Sequence, residues 1–99
     1  MKRATATEVA AGTADAQGVA AATPLTLMGY SVRETAGAAA TAILRRGTDN
    51  TGVPLAFISL AANAAETVWF DAGVAADAGI YVDRVTGTTH FTLHTRKGG

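Results

Sequence analysis

Ile80-Tyr81-Val82-Asp83-Arg84-Val85-Thr86-Gly87-Thr88-Thr89-His90-Phe91-Thr92-Leu93-His94-Thr95-Arg96 is the stretch that decides the fold class. Phe91 and Leu93 alternate with His90, Thr92, His94 and Arg96. Residues two apart share a face of a strand, so this run has one buried side and one wet side. Ile80 to Val85 is a second run rich in β-branched and aromatic residues. Thr86-Gly87-Thr88 between them has the length and the glycine of a tight hairpin turn.

Working back towards the N-terminus, the same texture repeats. Thr67-Val68-Trp69-Phe70 reads as a strand carrying the only Trp, and Asp71 to Gly79 as a loop of small residues. Leu55 to Leu60 is almost wholly apolar and includes Phe57 and Ile58, the pattern of a strand covered on both sides or at a subunit contact. This run is the expected centre of the domain. Gly47-Thr48-Asp49-Asn50-Thr51-Gly52 is dense in turn formers and reads as an exposed hairpin loop after a strand at Thr41 to Arg45. Ile43 or Leu44 faces inward in that strand. From Leu25 to Val32 the apolar positions change phase around Met28-Gly29, which a β-bulge at Gly29 explains. Six runs joined by short loops predict an all-β fold, an antiparallel meander or a Greek-key or jelly-roll-like sandwich of six to eight strands. A small closed barrel is the alternative.

Residues 1–23 differ from this body. Val9 and Val19 are their only branched aliphatics, and Gly12 and Gly18 interrupt any helix. Ordering such a segment costs roughly 1–2 kcal/mol per residue, more than two valines return at about 1.5–3 kcal/mol each. The sequence therefore predicts an extended arm over 1–23, a β-sandwich over 24–96 and a tail over 97–99. The arm is expected either to stay loose or to lie along a neighbouring subunit, with Thr5, Thr7, Val9 and Val19 as assembly contacts. Removing 1–22 would then leave the fold of the body intact.

Composition narrows the function more than it identifies one. Eight basic and eight acidic residues give a formal net charge of zero, without a cluster that would attract nucleic acid. Alanine forms about a quarter of the 99 residues, so the high apolar fraction overstates the core, since Ala buries little area. No stretch is long and apolar enough for a membrane span. With no Cys there is no disulfide or thiolate metal site, and oligomerisation is the expected source of added stability.

No constellation announces a reaction, and neither a cofactor nor an enzymatic activity is expected. His90 and His94 share a strand face but lie roughly 13 Å apart, too far to hold one metal ion. Asp71, Asp77 and Asp83 lack the spacing of a calcium loop and read as turn residues, with Asp83 a partner for Arg84 or a neighbour. Neither Ser31 nor Ser59 lies in a nucleophile elbow. Core packing is the first expectation for Trp69. The second is that Trp69 and Tyr81 make glycan contacts, as in a carbohydrate-binding β-sandwich used for host-surface attachment.

Leu27-Met28-Gly29-Tyr30-Ser31-Val32-Arg33-Glu34-Thr35, Leu60-Ala61-Ala62-Asn63 leading to Trp69-Phe70, and Gly79 to Thr88 together resemble small virion structural proteins of tailed bacteriophages and prophages. The resemblance is one of patterning over residues 24–96. It implies a capsid decoration, head-spike or head-tail accessory role in the virion, after assembly in the host cytoplasm. It further implies a homo-oligomer, with a trimer favoured, docked on a major capsid or other virion protein.

Overall fold

In the computed structural model, which describes residues 5–97, β-branched and aromatic runs become eight strands and no helix forms among the described residues. They are β1 (Thr5–Gly12), β2 (Ala16–Val19), β3 (Leu25–Glu34), β4 (Ala40–Arg46), β5 (Val53–Leu60), β6 (Ala65–Ala75), β7 (Ile80–Thr86) and β8 (Thr89–Lys97). Two four-stranded antiparallel sheets face each other, one in the order β1-β8-β3-β6 and the other β2-β7-β4-β5. That pair of orders is the eight-stranded jelly roll. Leu25, Leu27, Val32, Phe91 and Leu93 of the first sheet pack against Leu44, Ile58, Ile80 and Val82 of the second.

β8 follows its sequence closely. Thr89, Phe91, Leu93 and Thr95 are buried, and His90, Thr92, His94 and Arg96 lie on the outer face. The bulge expected near Gly29 is present: the register of β3 with both β6 and β8 shifts between Leu27 and Gly29. Between Ile43 and Leu44, Leu44 is the inward residue, with no exposed area.

Four expectations are corrected. Residues 5–19 do not form an arm outside the sandwich but supply β1 and β2, the edge strands bonded to β8 and β7 of the same chain. Val9 and Val19 are core residues, each 8 % exposed, while Thr5 and Thr7 lie on β1 beside Thr95 and Leu93. The physical reason is long-range: β7 and β8 have open edges whose N–H and C=O groups take up an extended segment regardless of how little it buries. The boundary expected at residue 23 is thus only the connection to β3, where the Thr23–Pro24 bond is cis. Of the expected tail, Lys97 ends β8 and residues 98–99 lie outside the described residues.

Second, Thr86-Gly87-Thr88 is not a hairpin turn. β7 and β8 belong to opposite sheets, and the turn arches between them with Gly87 at φ +80°. A Cβ there would sit 2.5 Å from that of Ala40, so only glycine passes. Third, β5 is an edge strand and not the centre, with Phe57 75 % exposed. Fourth, the small-residue stretch after Phe70 continues β6 through Ala75 rather than forming a loop from Asp71. β4 and β5, joined by the loop at 47–52, do form a hairpin.

Buried polar groups close the ends of the sandwich. Glu34, 2 % exposed, accepts from the backbone N–H groups of Asn63 (2.8 Å), Ala36 (2.6 Å) and Gly37 (2.9 Å). It thereby ties the β3–β4 connection to the β5–β6 connection. The Asn63 N–H first, helped by those of Ala36 and Gly37, holds its carboxyl below the ordinary 4.5, against the opposing effect of burial. At the other extreme, burial first and then the Glu66 carboxylate push the Tyr30 hydroxyl from 10.0 to about 12.

These shifts bound the pH range of stability. Glu34 binds its proton less readily folded than unfolded, so its contribution is complete above pH 4.5 and is lost as pH falls through its depressed value. Tyr30 holds its proton more tightly when folded, so its contribution is complete below pH 10.0 and is lost as pH rises through about 12. Thermal melts across pH are expected to show a plateau between these limits. Glu34→Gln should remove the shift from the acid limb while leaving the alkaline limb in place.

Candidate functional site

The jelly roll leaves two broad outer faces, and their chemistry differs. On the β1-β8-β3-β6 sheet the register aligns Glu8, Thr92, Ser31 and Thr67 across all four strands. The next row holds His90, Arg33 and Ala65, and the row on the other side His94, Gly29 and Trp69. The Ser31 and Thr67 hydroxyls are 3.0 Å apart, and His90 Nε2 lies 3.8 Å from Glu8 Oε1. Together with Arg33 and Glu66 they line a shallow polar depression of about 350 Å³.

Trp69 borders that depression, two residues along β6 from Thr67. It is not a core residue, as the sequence led one to expect: it is 58 % exposed. Its indole lies across Gly29 and stacks on His94, with ring centroids 4.6 Å apart and an interplanar angle of 25°. A Cβ on Gly29 would come within 2.7 Å of the ring, so the missing side chain is what lets the indole settle over the strand. An aromatic covering a strand glycine in this way shields its backbone and fixes its own position. Hydrophobicity alone could not reveal this, because it takes the register to place Gly29 between Trp69 and His94.

On the other sheet the outer face carries an apolar patch beside charged residues. Phe57 and Asp83 flank Ile43 in the register, and Val85, 55 % exposed, stands at the bulge where β7 slips against β4. With Thr41, Ser59 and Ile58 these residues line a groove of about 320 Å³. Beside the groove, Arg45 Nε donates to Asp83 Oδ2 at 2.9 Å. Asp83 therefore pairs with Arg45 and not with its neighbour Arg84. Tyr81 stands on this face too, its hydroxyl 3.4 Å from Asp15 Oδ2. Trp69 and Tyr81 consequently lie on opposite sides of the sandwich and do not contribute to one site.

Of the remaining acidic candidates, Asp71 is an exposed residue within β6 and not in a turn, whereas Asp77 acts within the fold. Asp77 Oδ1 accepts from the Leu25 N–H at 2.8 Å, fixing the start of β3. Among the described residues no group of three His, Asp or Glu side chains converges as a metal site. No family model, no curated protein and no solved structure matches the chain.

Proposed function

We propose that this chain is a structural subunit of a tailed-phage or related particle, assembled as a homo-oligomer through the apolar patch on the outer face of the β2-β7-β4-β5 sheet. The observation that carries this reading is Phe57, 75 % exposed on an edge strand and contiguous with Ile43 and Val85. Single exposed hydrophobes are ordinary, but a contiguous patch of Phe57, Ile43 and Val85 on so small a domain suits an interaction surface. A net charge of zero offers no general repulsion between copies. The resemblance to small virion proteins supplies the setting and favours a trimer docked on a capsid protein. The jelly roll accords with it, being a fold used in viral capsids, though folds by themselves do not assign function.

Sedimentation velocity of the full chain at micromolar concentration tests the assembly. A discrete trimer is expected, and Phe57→Asp should give a monomer with an unchanged circular dichroism spectrum. Loss of a central aromatic anchor of about 2 kcal/mol or more weakens each contact at least roughly 30-fold. A wild-type chain that sediments as 10.0 kDa at every concentration would remove the basis for this reading. Immunogold labelling of particles released by cells carrying this sequence tests the virion setting, with unlabelled particles as the contrary result.

A further inference from the structure

We infer that the outer face of the β1-β8-β3-β6 sheet is a glycan-binding site, in which Trp69 stacks on one pyranose and the adjoining polar depression takes the hydroxyls of the next. The inference does not depend on the assembly reading, which concerns the opposite sheet.

Three observations meet here. The first is that an exposed indole is held in place, with His94 against it and Gly29 beneath. A fixed ring loses little conformational freedom on binding, and the weakly positive axial C–H groups of a pyranose suit the negative π-face of an indole. The second is reach. Thr67 and Trp69 are two residues apart on one strand face, as are Thr92 and His94, so the rows that carry the depression's edge and the ring are spaced about 6–7 Å along the strands. That separation lets adjacent sugars occupy ring and depression together.

The third is the lining. Ser31, Thr67 and Thr92 present hydroxyls that both donate and accept, Arg33 donates, and Glu8 accepts. Charges of both signs with several hydroxyls suit neutral polyhydroxylated ligands better than a phosphate or a polyanion. A protein partner would be expected to seek a continuous apolar centre, which this face lacks and the opposite one has.

Trp69 is the only Trp in the chain, so its fluorescence reports this position alone. The test is titration of the full chain with cellotetraose, maltotetraose and tri-N-acetylchitotriose, following Trp69 emission and ligand saturation-transfer NMR. At least one is expected to give a saturable emission change at millimolar concentration, with saturation transfer strongest to one sugar ring. Trp69→Ala should weaken binding about tenfold or more, and Arg33→Ala should weaken it with the Trp69 stacking signal retained. No response to any of the three up to about 10 mM, well above a millimolar Kd, would overturn the proposal, as would full-strength binding by a folded Trp69→Ala chain. Phe57→Asp should bind each sugar as the wild type does, which separates this outcome from failure of the assembly reading.

Discussion

Removal of residues 1–22 is expected to unfold this protein. The segment carries both β1 and β2, so its loss strips one strand from each sheet and bares the edges of β8 and β7 along their length. Val9 and Val19 leave the core, each worth about 1.5–3 kcal/mol of burial. Gly18, whose backbone runs close enough to Leu93 that a Cβ would stand 2.5 Å from its Cδ1, also goes, uncovering the side chain beneath. The buried Arg84 guanidinium loses the carbonyl oxygens of Ala10 and Ala14. Hydrogen bonds to a charged group contribute about 1.5–3 kcal/mol each. Set against a total stability of about 5–15 kcal/mol for a domain of this size, little remains to hold the body together. Circular dichroism and urea melts of the truncated chain should show loss of the β-signal and of a cooperative transition. A truncated chain with the full-length spectrum and urea midpoint would show that β1 and β2 are accessory. The sequence alone suggested that opposite outcome, because the segment buries so little.

Arg84→Ala is the point substitution with the largest expected cost. Arg84 is 8 % exposed and stands at the end of the core, where β7 arches over to β8. Its Nη2 donates to Ala10 O at 2.6 Å and to Thr89 O at 2.9 Å, its Nη1 to Ala14 O at 2.9 Å, and its Nε to Thr89 Oγ1 at 3.2 Å. One planar group thus binds β1, the β1–β2 connection and the start of β8. Asp15 completes the arrangement by accepting from the Arg84 backbone N–H at 2.8 Å. Burial lowers the guanidinium's affinity for its proton, and the nearby Asp15 carboxylate opposes that.

Alanine would leave three carbonyl oxygens and a cavity in their midst. The expected cost is about 3–5 kcal/mol, a fall in Tm of roughly 15–30 °C for a chain of this length. Arg84→Lys should recover little of it, since one ammonium on a flexible stem cannot meet Ala10, Ala14 and Thr89 at once. Calorimetry on the three proteins checks this. An Arg84→Ala chain melting within about 3 °C of the wild type would show that water replaces the guanidinium without penalty.

Arg84 also shows why the N-terminal strands were illegible. In β1 the residues are mostly Ala and Thr and only Val9 is buried; in β2 only Val19 is. Periodicity needs large side chains to register, and these strands are held by main-chain pairing and by a guanidinium about seventy positions away in the chain. The β7–β8 turn misled for a related reason. A short link containing glycine suits a hairpin within one sheet and an arch between two sheets equally, and the choice is made by what each strand packs against. Phe57 misled differently, since an apolar run gives no indication of whether a partner sheet or an open surface covers its second face.

The class of fold, the alternation of β8, the bulge before Gly29 and the exposed loop at 47–52 are legible in the chain, because each is written within a few adjacent residues. The tertiary structure alone decided that residues 5–19 complete both sheets, that Trp69 stacks on His94 across Gly29, and that Phe57 stands outside. Those outcomes depend on register between strands far apart in the chain, and register is set by the packing of the whole sandwich rather than by any one segment.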